Sequence, residues 1–226
     1  TIDVNQTSNN ARGLHFYGGA DVTNKYISIG RTHTSGNHFI NSEVRFGTEA
    51  AGNGTSFISF ATGSGNPNEQ TGNPERVRID SSGRVTMPYQ PAFSVNPASL
   101  QENIAINSQV TIVFGTEVFD VGSNFASNTF TAPVTGKYQL NLSLRLQNAD
   151  SAASFYQVRF LTSNRSYIIS FDLSDLSGDP SLWSEGFSVL ADMDASDTVS
   201  IAFFQGNGTA QTDIHPESYF TGYLVA

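Results

Sequence analysis

The sequence predicts an all-β protein in two parts: a series of very short strands up to residue 87, then a two-sheet antiparallel jelly roll over 88–226. Three observations carry this. Apolar and polar residues alternate over short stretches, and no stretch of useful length has a helical period. Gly, Ser, Thr and Asn punctuate these stretches, while seventeen Phe and eight Tyr supply strand-forming aromatics. Finally, Lys137 to Gln147 alternates without a break. Tyr138, Leu140, Leu142, Leu144 and Leu146 share one face, and Lys137, Gln139, Asn141, Ser143, Arg145 and Gln147 the other. That is a strand buried on one side.

Composition bounds the function. The apolar share of 38% is low for a well-packed globule, so burial between copies is expected to supplement the core. With no Cys, disulfide frameworks, zinc-thiolate sites and redox dithiols are excluded. No run of eighteen apolar residues and no charged-then-apolar leader occurs, so neither a membrane-spanning helix nor a retained signal peptide is expected. Charge is uneven: residues 1–90 carry seven cations and seven carboxylates, and residues 91–226 four and thirteen, which accounts for the whole net charge of -9. After Arg165 there is no Lys or Arg. Nucleic-acid binding needs the opposite balance, and an acidic surface is repelled by anionic membranes.

In chain order, residues 1–12 are polar and patternless and are expected to continue something upstream. Short apolar bursts follow: Leu14 to Tyr17, Tyr26 to Ile29, His38 to Ile40, Val44 to Phe46, Phe57 to Phe60, Val77 to Ile79 and Arg84 to Met87. Two or three apolar residues per burst bury too little area to offset the chain entropy lost, so their partners are expected on other copies of the chain. Asn66 to Pro74 is a loop by composition. Arg76-Val77-Arg78-Ile79-Asp80-Ser81-Ser82-Gly83-Arg84-Val85 reads as a hairpin around an Asp-Ser-Ser-Gly turn. It resembles a segment of bacteriophage tail fibres and related virion proteins, in which such a hairpin ends a fibrous region and precedes a tip domain. Many of those proteins continue Gly-Ile-Gly after the Val, where this chain has Thr86-Met87-Pro88.

Pro88, Pro91 and Pro97 mark a junction near 88. Beyond it, strands are expected at Ala92–Val95, Val110–Phe114, Thr129–Ala132, Lys137–Gln147, Ser154–Leu161, Tyr167–Phe171, Phe187–Leu190, Thr198–Phe204 and Tyr219–Val225. Pro133 and Gly136 are expected to make a tight corner, with Gly136 free to take positive φ. The spacing Phe114, Asp120, Phe125, Phe130, Gly136-x-Tyr138-x-Leu140-x-Leu142, with the closing Tyr219-Phe220-Thr221-Gly222-Tyr223-Leu224, resembles the signature of complement 1q globular heads, relatives of the tumour necrosis factor trimers. Two departures are a gap from Phe125 to Phe130 that is two residues shorter than usual, and Ala132 where a Cys often stands.

The last strand favours self-association on physical grounds as well. Phe220, Gly222 and Leu224 fall on one face, Tyr219, Thr221, Tyr223 and Val225 on the other, and neither face suits water. The first is expected to join the core and the second to meet two other copies about a threefold axis, as the resemblance implies.

Catalytic constellations are missing: there is no Gly-x-Ser-x-Gly elbow, no His-Glu-x-x-His and no phosphate loop, so no enzyme is expected. Asp172 and Asp175 could serve a glycosidase, but solvated loop acids explain them better. Asp172, Asp175, Asp179, Asp192 and Asp194 are the calcium candidates, since hard oxygen ligands suit that ion and complement 1q-like heads can carry it; turn chemistry is the competing explanation. His33 and His38 lack the His-x-His spacing of fibre metal sites. For ligand binding the candidates are the aromatics Trp183, Tyr156 and Tyr167, with Trp183 in an acid-rimmed loop suited to stacking on a sugar, or else a plug between the sheets.

The resulting expectation is a homotrimeric phage virion fibre, a β-structured shaft at 1–87 carrying a complement 1q-like tip at 88–226. Its partners would be other virion proteins upstream and a host cell-surface glycan or protein, with no nucleic acid and no membrane insertion. A purely structural virion trimer (baseplate, head fibre or decoration) and a secreted bacterial adhesin are the alternatives.

Overall fold

The computed structural model describes residues 26–32, 40–50, 54–63 and 73–226, and every regular element among them is a β-strand. The burst at Leu14 to Tyr17 and both His33 and His38 lie outside the described residues. The chain divides into two compact units, Thr1–Tyr89 and Gln90–Ala226.

The first unit is an antiparallel meander of five strands, β1 (Tyr26–Thr32), β2 (Ile40–Thr48), β3 (Ser56–Thr62), β4 (Glu75–Ile79) and β5 (Val85–Thr86), hydrogen-bonded in chain order. The expectation that these strands find their backbone partners on other copies is therefore corrected. Sequential strands pair because a short connection closes at the lowest entropy cost. The register lines Ile29, Val44, Phe60 and Val77 into one cross-strand row and Ile27, Phe46, Ile58, Ile79 and Val85 into a second on the same face. The opposite face is the polar one, and it is the buried one. There Arg45 lies 4.4 Å over the ring of Tyr26 and pairs with Glu43 at 2.6 Å, and Arg78 lies 3.7 Å over the ring of Phe57. Burial pushes the Glu43 carboxyl up, but bonds from Arg45, Ser28 and Asn73 outweigh it and hold the group below its ordinary range.

The turn between β4 and β5 shows why Asp80 stands where it does. Its Oδ1 accepts the backbone N–H groups of Ser82 and Arg84, both at 2.9 Å, and its Oδ2 accepts Arg84 Nε at 2.6 Å. The carboxylate thus closes the hairpin from inside.

The second unit is a sandwich of β6 (Ala92–Asn96), β7 (Gln109–Thr111), β8 (Thr116–Val121), β9 (Phe125–Ala126), β10 (Thr129–Thr131), β11 (Gly136–Gln147), β12 (Phe155–Thr162), β13 (Ser166–Phe171), β14 (Leu182–Met193), β15 (Thr198–Gly206), β16 (Asp213–Ile214) and β17 (Tyr219–Leu224). One sheet runs β13-β12-β15-β10-β9 with β7 on β15; the other runs β14-β11-β17-β6-β8 with β16 on β11, all antiparallel. Between them the apolar residues of β11 are buried at Tyr138, Leu140, Leu142, Leu144 and Leu146, as the alternation predicts. Phe93 is the hub of the aromatic core, stacked on Phe130 at 4.6 Å and edge-on to Phe220 at 4.9 Å.

Besides the unforeseen two-residue strands β9 and β16, the structure departs from the sequence-based reading in four places. β14 spans twelve residues instead of four because every one of them pairs with β11, and this places Trp183 and Asp192 in a strand rather than in loops. The strand expected at Val110–Phe114 stops at Thr111, because Val113 and Phe114 donate their N–H groups to the side chains of Gln101 and Asn128. β8 was not foreseen: as an edge strand it is exposed on most of its length and shows no alternation. The corner after β10 crosses from one sheet to the other, and Gly136 is not among the residues with positive φ. Its need for glycine is steric, since a Cβ there would come within 2.6 Å of Ala226 O and Leu224 Cδ1.

A sharper constraint lies at Gly222 on β17, where a Cβ would meet Phe93 Cε1 at 2.5 Å and Leu140 Cδ2 at 2.9 Å. Gly222→Ala is expected to destabilise the second unit by about 1–3 kcal/mol through overpacking, measured by chemical denaturation.

Candidate functional site

The outer face of the β14-β11-β17-β6-β8 sheet is one candidate. On β17, Phe220 is fully buried, Gly222 is buried and Leu224 packs on the core, whereas Tyr219, Tyr223 and Val225 are about half exposed and Thr221 is partly covered. Register places Tyr223 between Gln139 and Ala92, and Thr221 between Asn141 and Ser94, with Phe119 beyond Ser94. Gln139 Nε2 donates to Ser188 Oγ at 2.7 Å, and Ser188 Oγ donates to Asn141 Oδ1 at 3.0 Å. Charges sit at the two ends of the long strands: Lys137 pairs with Asp192, which Arg165 also approaches at 4.0 Å, and Arg145 pairs with Glu217. The centre is neutral, a mixture of amides, hydroxyls and aromatic rings.

The three aromatic ligand candidates are not brought together. Tyr156 on β12 is completely buried; its hydroxyl donates to Asp150 O at 2.8 Å, accepts Asp150 N–H at 2.8 Å and lies 3.1 Å from Thr212 Oγ1. Burial holds its phenol above its ordinary range. A ring sealed in this way cannot stack on a sugar, which corrects that expectation. Tyr167 lies on β13, opposite Phe160, partly buried against the core. Trp183 lies on β14 opposite Leu146, half-buried against the core, with Nε1 donating to Glu185 Oε1 at 3.0 Å. It plugs the end of the sandwich and keeps part of its ring open to solvent.

The proposed calcium acids are likewise dispersed, and three of the five have a local task. Asp172 accepts the N–H of Ser174 at 2.8 Å, Asp179 the N–H and hydroxyl of Ser151, and Asp192 pairs with Lys137. Bonding to Ser174 lowers the carboxyl of Asp172, and Lys137 lowers that of Asp192. Among the described residues no group of three or more His, Asp or Glu is placed to hold a metal ion. Asp175 and Asp194 join no such group either, and turn chemistry accounts for the contacts of Asp172 and Asp179.

Sequence reasoning passed over Asp150. It is almost wholly buried, and its carboxylate accepts N–H groups from Ala152 at 2.8 Å, Thr209 at 2.5 Å and Ala210 at 2.8 Å. It therefore ties the loop after β11 to the loop after β15. Burial raises its carboxyl, but these backbone bonds prevail and hold it below the ordinary value. The available signal was Asn148-Ala149-Asp150-Ser151, a turn-forming run after a long strand.

The chain matches the C1q domain family over residues 92–225. Among solved structures, the globular domain of zebrafish complement 1qA protein is 18% identical, with 61% of this chain and 98% of that one covered and a TM-score of 0.45. Murine APRIL is 10% identical, with 60% and 99% covered and a TM-score of 0.44. Rabbit GITRL is 9% identical, with 60% and 94% covered and a TM-score of 0.38. No match was found among curated proteins.

Asp150→Ala is expected to cost about 2–3 kcal/mol in chemical denaturation, since it leaves buried N–H donors without their charged acceptor. The pH dependence has a definite sign. A carboxyl depressed in the folded state adds stability above its unfolded value near 4, and loses it as pH falls through the folded value. Asp150→Asn is expected to flatten the acid limb of the stability profile in that window.

Proposed function

The chain belongs to the C1q domain family, and from that premise we propose that it is a homotrimeric bacteriophage fibre component whose head attaches to a bacterial surface. Members of the C1q and tumour necrosis factor family form homotrimers and commonly bind ligands, and they are typically not enzymes. The observation that carries the trimer is β17: its inward residues complete the core while Tyr219, Tyr223 and Val225 present half-exposed apolar surface on a face whose centre bears no charge. Like faces meet there without electrostatic repulsion. The viral context rests on the Arg76 to Val85 hairpin, with its internal Asp80 clamp, standing just ahead of the head. The head, in this reading, is the tip and residues 1–87 the shaft.

The ligand assigned to this head is a cell-surface glycan, bound near the Trp183 end of the sandwich. Trp183 keeps part of its ring accessible there, and Glu185, Asp179 and Ser151 supply hydrogen-bonding groups on neighbouring segments. Base-free hydroxyl ligands suit an aromatic face edged with acceptors. Three such ends on one rigid trimer bind cooperatively through avidity, so each site need only be weak.

Two measurements test this. In sedimentation the full chain is expected to run as a trimer at micromolar concentration, and the double substitution Tyr219→Asp, Tyr223→Asp to shift it to monomer; a folded wild-type monomer would overturn the assembly. Purified trimer added to host cells is expected to block adsorption of the virion that carries it, with Trp183→Ala losing at least ten-fold in potency while still sedimenting as a trimer. Undiminished adsorption at saturating protein would favour a purely structural virion role.

A further inference from the structure

The five-stranded sheet of the first unit is built with its polarity inverted. Glu43, Arg45, Ser59 and Ala61 lie on the buried face, and Phe57 with them. The two apolar rows lie on the other face, where Ile29, Phe46, Ile58, Phe60, Ile79 and Val85 are between 37% and 60% exposed. Together these six leave on the order of 500 Å² of apolar surface in water, near the top of what the largest patch of a monomer reaches. Register runs the rows unbroken across neighbouring strands, so the patch is contiguous. A hairpin meander gains nothing by placing such rows in solvent, whereas burying them is worth about 25 cal/mol per Å².

We propose that this face is an interface between copies of the chain, the two rows of one sheet packing against those of its neighbours. The inference rests on the trimeric reading of the head and names the surface by which the preceding unit joins it. Three arguments select a second and third copy as the occupant. Neither row contains an ionisable side chain, so the rows meet one another without like-charge repulsion; Glu43, Arg45 and Arg78 on the opposite face could not. Three copies would together bury about 1,500 Å², about 500 Å² at each of three contacts, which is too small for a free-standing interface and suits sheets already held together by their heads. Only five residues, Met87 to Pro91, separate β5 from β6, so trimeric heads would hold three sheets at millimolar effective concentration. Backbone pairing stays within each chain, and the copies contribute side chains alone.

The native chain lacks Cys, so a single introduced thiol reports on one position. Ile58→Cys in the full chain, treated with a short bismaleimide, is expected to give a covalent two-chain product on denaturing gels. Thr86→Cys, which register places on the opposite face opposite Arg78, is expected to give at least ten-fold less. Phe60→Asp is expected to speed proteolysis within residues 26–86 at least ten-fold while the protein still sediments as a trimer. A wild-type trimer in which Ile58→Cys yields no two-chain product, or in which Phe60→Asp leaves proteolysis unchanged, would overturn this interface and leave the trimeric head standing. A wild-type monomer in sedimentation would remove the trimeric reading itself.

Discussion

The head depends on one close approach. β17 passes beneath the Phe93 ring at Gly222, and a methyl group there would stand 2.5 Å from Phe93 Cε1. Because the strand is bare at that point, Phe93 can sink far enough to stack on Phe130 of the opposite sheet while holding Phe220 at its edge. Phe125 joins the same cluster at 5.3 Å from Phe93. The two sheets are thus locked through rings contributed by β6, β9, β10 and β17, from both ends of the second unit. Packing of this density tolerates little change in volume, which is why the C-terminal strand belongs to the core and is not a trailing segment.

A consequence follows for the other side of β17. With period two, fixing Phe220 and Gly222 inward forces Tyr219, Thr221 and Tyr223 outward. The same register lines them up with the amides and hydroxyls of β11 and the small residues of β6. Core packing and the character of the outer face are therefore a single choice. The first unit obeys the same parity but spends it differently, turning its charged residues to the covered face and its apolar rows outward.

Legibility in the sequence followed from burial. Strands buried on one face announced themselves: β11 is read almost to its ends, and β17 is placed with its inward and outward residues assigned. β8 was missed because an edge strand need not alternate, and β14 was shortened at both ends because Leu182 and Leu190 stand on its exposed face and Glu185 on its inward one. Among the described residues the bursts at Tyr26, Val44, Phe57, Val77 and Arg84 fall on strands, and these strands pair with one another within the chain. Two apolar residues per strand look too few for a core until five strands align them in rows. At the candidate site, residue chemistry misled where depth was unknown. Tyr156 and Trp183 look alike in sequence, and only tertiary structure distinguishes a ring closed over Asp150 and Thr212 from one at the rim. The loop acids suggested a metal because spacing says nothing of direction; Asp172, Asp179 and Asp192 turn to neighbouring donors.

The same disposition of acids reconciles a net charge of -9 with the self-association proposed for the chain. Repulsion between copies depends on where charge sits relative to the contact, and screening confines it to about 8–10 Å at physiological salt. Asp172, Asp179 and Asp197 are engaged at turns, Asp150 is enclosed by backbone N–H groups, and Asp192 and Glu217 are neutralised by Lys137 and Arg145 at the ends of the sheet. None lies among Gln139, Asn141, Thr221 and Tyr223 at the centre of the outer face. The chain thus keeps its acidity where it confers solubility and discourages nonspecific contact, and keeps its flat faces neutral. Adding carboxylates to loops should be tolerated by such an arrangement, whereas one carboxylate at a row or face centre would have to be desolvated without a partner, at a cost the remaining contacts could not offset.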